Sequence, residues 1–228
     1  MKEGEGGRGW WRPNRRVRCA SVGMDVRRLS PFATRHHGLV TIGVAADLGV
    51  SRSAWYRAIE SGRLDPVAPG VARLPGAPVT SPQRILAAVW SAGPGAVASH
   101  RSAALLWGVE RPIDDPVDVS LTDRNRAPAP PNVVVHRPRD LRNLRPIVRS
   151  GVPTTSPLRM LVDLGAVDPA GVGAALDHLV ANRFVLPGAV RSALDRHARQ
   201  GRHGVRALRR VLDHRSIGGQ AADSTLEV

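Results

Sequence analysis

The chain has 228 residues, 42% of them apolar, enough to build a substantial core, and a formal net charge of +14 that suits a polyanionic partner. Lysine occurs only at Lys2 and cysteine only at Cys19. That excludes a lysine-bearing phosphate loop, a Schiff-base lysine, an internal disulfide and a cysteine zinc site, while the lack of any run near ~20 apolar residues excludes a membrane span.

Residues 1–23 are rich in Gly and Arg, without helical or strand period. They read as a disordered arm or as sequence upstream of a true start at Met24. Trp10 and Trp11, beside arginines, could stack on bases, or are incidental. No apolar run of ~7 residues marks a secretory signal, so a cytoplasmic setting is expected.

From Met24 three short helices are predicted. Val26, Leu29, Phe32 and Ala33 recur at helical spacing up to Gly38. Thr41 is a candidate N-cap for a second helix with Val44, Ala45 and Leu48 on its apolar side, and Gly49 closes it. Ser51 caps a third, "RSAWYRAIES", ending at Gly62. Two helices joined by a short Gly-containing turn form a helix-turn-helix, with Ala45 and Gly49 in the two tight places. In the third helix Ala54, Trp55, Ala58 and Ile59 fall inward, leaving Arg52, Ser53, Tyr56, Arg57 and Glu60 outward. Arginine can bind guanine in bidentate fashion, and Ser or Tyr can bind phosphate. A merely solvated charged face is the alternative. "RLDPVAPGVARLPG" then reads as a β-hairpin wing, with Arg63 and Arg73 as possible phosphate contacts. The candidate DNA-binding residues are therefore Ser51, Arg52, Ser53, Tyr56, Arg57, Arg63 and Arg73.

Further on, "SPQRILAAVWSAG" starts a helix at Ser81, and "AVASHRSAALLWGV" is read as a second helix with Ala103, Leu106 and Trp107 inside. Strands are predicted at 116–121, 132–137 and 145–151, the first two separated by the Pro-rich loop "RAPAPP". Four helices follow, "SPLRMLVDLGA", "AGVGAALDHLVANR", "PGAVRSALDRHARQ" and "GVRALRRVLDHR". The last two carry an arginine row, Arg191, Arg196, Arg199, Arg202, Arg206, Arg209 and Arg210, which is either a second phosphate-contacting patch or a solvated face. Ser99, His100 and Ser102 lie together, but the sequence supplies no third partner and no oxyanion hole, so capping or packing is expected. His36 and His37 are adjacent and point apart on a helix, unlike the i, i+3 or i+4 pairs of metal sites, and Asp114-Asp115 reads as a turn. No metal, no cofactor and no enzymatic activity are expected.

Residues 24–76, with "GVSRSAWYRAIESGRL" followed by "PGV", resemble the N-terminal winged helix of AbiEi-type antitoxins, transcriptional regulators of type IV toxin–antitoxin systems. "SHRSAALLWG" and "GVPTTSPLRMLVDLGA" resemble two stretches of that family's second domain. The wing departs from the family pattern at Ala72 and at Leu64-Asp65-Pro66. The resemblance implies an α+β, mostly helical fold: a winged helix-turn-helix at 24–78, then a small mixed α/β domain at 79–215 with a helical C-terminal part. It also implies binding to promoter inverted repeats in double-stranded DNA and a nucleotidyltransferase-like toxin partner held without a tight complex. Residues 216–228 are expected to be a disordered tail, in which Asp223, Ser224, Leu226 and Glu227 resemble the opening of a Vsr-like nuclease domain. The alternative reading is thus a nonfunctional remnant of an endonuclease-domain protein.

Overall fold

The computed structural model describes residues 26–121, 130–138, 145–197 and 203–224. The arm at 1–23, Trp10 and Trp11 included, lies outside the described residues, as do most of the Pro-rich loop and positions 225–228.

The fold is α+β. A 3-10 turn at Val26–Leu29 leads into α1 (Ser30–Arg35), which Pro31 suits because the first helical N–H groups lack partners anyway. The chain reverses at Gly38, whose φ of +80° favours glycine, and enters β1 (Leu39–Thr41). Thr41 ends that strand and caps α2 (Ile42–Asp47), its Oγ1 accepting from the Val44 amide at 3.2 Å. After Gly49, at φ +83°, Ser51 caps α3 (Arg52–Glu60) in the same way through the Ala54 amide. The hairpin β2 (Asp65–Ala68) and β3 (Val71–Arg73) joins β1 in an antiparallel sheet of order β1-β3-β2. Leu29, Ala33, Val40, Ala45, Trp55, Ala58, Leu64 and Ala72 close the core of this N-terminal unit.

Thr80 caps α4 (Ser81–Ala92), and a five-stranded sheet of order β6-β5-β4-β8-β7 lies beside it. Its strands are β4 (Val97–Ala98), β5 (Val117–Ser120), β6 (Val133–His136), β7 (Ile147–Arg149) and β8 (Val152–Thr154). Between and after them come α5 (His100–Leu106), α6 (Pro157–Val167), α7 (Val172–Ala181), α8 (Pro187–His197) and α9 (His203–Ser224). Trp107, Met160, Leu161, Leu164, Leu176, Leu179 and Leu208 build the core of the helical part. There α6 and α9 cross on glycines. A Cβ on Gly204 would stand 1.8 Å from the Val162 carbonyl oxygen, so no other residue fits without parting the helices.

One apolar cluster unites Ile85, Leu86 and Val89 of α4 with Val117, Val119 and Val152 of the second sheet and with Leu39, Ala68 and Val71 of the first. The junction is further tied by polar groups: His37 Nε2 donates to the Ser150 carbonyl at 2.7 Å, and the Gln83 amide donates to the His37 carbonyl. His36 stacks on Phe32 at 4.0 Å and lies 5.4 Å from Trp90 of α4.

Several sequence expectations are corrected. Val97 and Ala98 form a central strand rather than the start of a helix, since a two-residue strand buried on both faces has no period to read. β1 and β8, at three residues each, escape notice for the same reason. Leu48 follows the last residue of α2 and is 40% exposed instead of lining its apolar side. The expected tail is helical as far as Ser224, because α9 continues past residue 215. Gly218 and Gly219 lie within it, although each costs about 1 kcal/mol relative to alanine in a helix.

Candidate nucleic-acid interface

α2 and α3 are joined by the short turn 48–51, which folds because Gly49 takes the left-handed conformation and Ala45, fully buried, lets the helices approach closely. Trp55 (2% exposed) and Ala58 anchor the inner side of α3. At about 100° per residue, Arg52, Ser53, Tyr56 and Glu60 share the opposite arc, and all four are exposed. The Arg52 guanidinium lies 5.8 Å from the centre of the Tyr56 ring, a cation–π contact that holds two long side chains in one orientation. Arg57 flanks this arc and is half-buried, so it is less available than its sequence position suggests. Ser51 is exposed at the helix start; its oxygen accepts the capping bond, which leaves its hydroxyl proton to be donated.

Arg63 is exposed just beyond Gly62, and its Nε donates to Ser61 Oγ at 3.0 Å. Arg73 stands directly opposite Asp65 in the β2–β3 register, and the two pair at 3.0 Å with side chains 22% and 40% exposed. The β2–β3 hairpin therefore carries a neutral pair where the sequence suggested a free cation. Exposed Arg28 and Arg35 of the first helical segment add positive charge to the same unit. They lie outside the apolar stripe, and the sequence reading passed over them.

A second polar constellation lies in the sheet domain. Ser99 Oγ and His100 Nδ1 are 2.9 Å apart, Ser120 donates to Ser99 at 2.9 Å, and His100 stacks on His136 at 3.6 Å. His136 Nε2 meets Asp118 Oδ1 at 2.7 Å, and Arg101 grips the same carboxylate with Nε at 2.7 Å and Nη2 at 3.0 Å. Burial alone would raise the Asp118 pKa, but hydrogen bonds from His136 and Arg101 outweigh it and hold the carboxyl below its usual range. Burial, then the neighbouring His136, pushes His100 down to about 3, so this ring is neutral at pH 7. Sequence reasoning noticed Ser99, His100 and Ser102 but missed Asp118 and His136, which the β4–β5 and β5–β6 pairings bring to them. Ser99 is fully buried with its hydroxyl committed on both sides, an arrangement that ties strands to a helix.

Of the arginine row, Arg191 on α8 and Arg206, Arg209 and Arg210 on α9 are exposed. The side chains of Arg196, Arg199 and Arg202 lie outside the described residues. Among the described residues no group of three or more His, Cys, Asp or Glu could hold a metal ion, and no helix is long and apolar enough to cross a membrane.

Residues 27–75, the 3-10 turn through β3, match the family model described as "Transcriptional regulator, AbiEi antitoxin". No curated protein matches the chain.

Proposed function

We propose that the chain is a DNA-binding transcriptional regulator of the AbiEi antitoxin kind, with a winged helix-turn-helix at residues 24–78 and a companion domain at 79–215. The observation that carries this reading is the outer face of α3, the second helix of a tight helix pair, within the segment that matches the regulator family. A major groove about 12 Å wide admits such a helix. Arg52, Ser53 and Tyr56 would then meet base edges or phosphates, Glu60 could accept from a cytosine amino group, and Arg57 would lie at the rim. Ser51 and Arg63, exposed near the two ends of α3, would meet phosphates, as would Arg73 on the hairpin, its charge offset by Asp65.

The operator this reading implies is an inverted repeat in the protein's own promoter, and the implied partner is a nucleotidyltransferase-like toxin countered without a tight complex. No reaction is assigned to the chain. A gel shift on duplex DNA from the gene's upstream region tests the reading. Binding should occur at low salt and weaken steeply as salt rises, because each neutralised phosphate releases counterions. A folded chain that binds no duplex at low salt would remove the proposal.

A further inference from the structure

The outer face of α3 holds two different chemistries in contact, and together they limit which bases the helix can read. Of the large apolar side chains of α3, Trp55 is buried and Ile59 half-buried, so Tyr56, 36% exposed, is the one presented outward. Of its two arginines, Arg57 is half-buried and Arg52 exposed. The Arg52 guanidinium lies over the Tyr56 ring, 5.8 Å from its centre. A cation–π contact uses the face of the guanidinium and consumes none of its N–H donors, so the fork can still bind a pair of acceptors in its own plane.

In the major groove the acceptor pair that matches this fork is guanine O6 and N7, and the group that suits an apolar ring is the C5 methyl of thymine. The spacing joins the two. Bases on one strand follow each other at 3.4 Å along the axis. A guanidinium and a ring 5.8 Å apart therefore fit neighbouring bases, which the helical twist also offsets sideways. Two steps already cover ~6.8 Å along the axis before any sideways offset is added.

We infer that Arg52 and Tyr56 act as one reading element for a guanine with a C5-methylated pyrimidine beside it on the same strand. Arg52 donates to the guanine O6 and N7, and the Tyr56 ring packs on the methyl group. The inference rests on the DNA reading above and adds base identity to it. It also has a regulatory consequence: 5-methylcytosine carries the same methyl in the same place as thymine, so cytosine methylation beside the guanine strengthens binding instead of blocking it. Covering one methyl group is worth about fourfold in affinity.

The test uses the full chain and duplexes it selects from a random pool, which should share a thymine beside a guanine. Each thymine of a selected duplex is replaced in turn by deoxyuridine, which lacks only the methyl. The replacement beside that guanine should weaken binding about fourfold at fixed salt. A cytosine at the same position, paired with guanine, should bind more tightly by the same factor when its C5 is methylated. In Tyr56→Ala, with unchanged circular dichroism, both ratios should fall to one, whereas Tyr56→Phe keeps the ring and should keep the ratios. Arg52→Ala should lose the preference for the neighbouring guanine. Selected sites without the thymine–guanine neighbours, equal binding of thymine and deoxyuridine duplexes, or ratios unchanged in Tyr56→Ala would each overturn the inference. A chain that selects a sequence but ignores the methyl keeps the functional reading and loses only this element, while a chain that binds no duplex loses both.

Discussion

Asp65→Asn should strengthen DNA binding. In the β2–β3 hairpin Asp65 and Arg73 pair at 3.0 Å and together carry no net charge. The substitution restores one positive charge at the wing. If that charge neutralises one phosphate, the slope of log K against log salt steepens by about 0.9. The same factor amounts to roughly a 3.5-fold larger loss of affinity between 50 and 200 mM salt. Arg73→Ala moves the wing charge the other way and leaves Asp65 facing DNA, so binding should weaken about equally for all sequences. The double variant returns the wing to neutrality and should bind like wild type. Losing a partly exposed ion pair costs only ~0.2–1 kcal/mol of stability, so all three variants should stay folded. Fluorescence anisotropy on one duplex across a salt series reads every arm. Identical affinities and slopes for wild type, Asp65→Asn and Arg73→Ala would mean that the wing stands away from DNA.

Trp55→Ala should destabilise the N-terminal unit by ~3–5 kcal/mol, since the indole is 2% exposed at the root of α3; urea denaturation checks this, and a loss under 1 kcal/mol would show that α3 is not anchored there. His100 predicts a pH effect. Its folded pKa, about 3, is depressed below the ordinary value of 6.5, so its contribution is complete above about 6.5 and is lost as pH falls toward 3. Between pH 6.5 and pH 5.0 this amounts to ~1–2 kcal/mol. His100→Asn, suited to the left-handed φ of +49° at this position, should flatten that dependence in urea titrations at the two pH values. An unchanged pH slope in the variant would assign the effect to other groups.

The parts of the fold that sequence made legible are those with local signals. Thr41 and Ser51 are caps that act within three residues, Gly49 is a conformational requirement, and Trp55 with Ala58 follows the helical period, so α2, α3 and the β2–β3 hairpin could be drawn in advance. Strands as short as Val97–Ala98 carry no period, and the buried pairing of Asp118 with Arg101 and His136 depends on residues 17 and 18 positions apart meeting across a sheet. The candidate site divides along the same line. The outward arc of Arg52, Ser53 and Tyr56 was readable from spacing. The partial burial of Arg57 and the pairing of Arg73 with Asp65 were not, because each depends on where neighbouring elements pack.

The most direct test of the account is the ratio of affinities, at physiological salt, for a duplex selected by the protein and for a scrambled duplex of equal length. A reading helix predicts a ratio of about 10³ or more, falling by one to two orders of magnitude in the Arg52→Ala, Tyr56→Ala double variant while scrambled-site binding changes far less. A ratio near one in folded wild-type protein would contradict the claim that the outer face of α3 reads sequence.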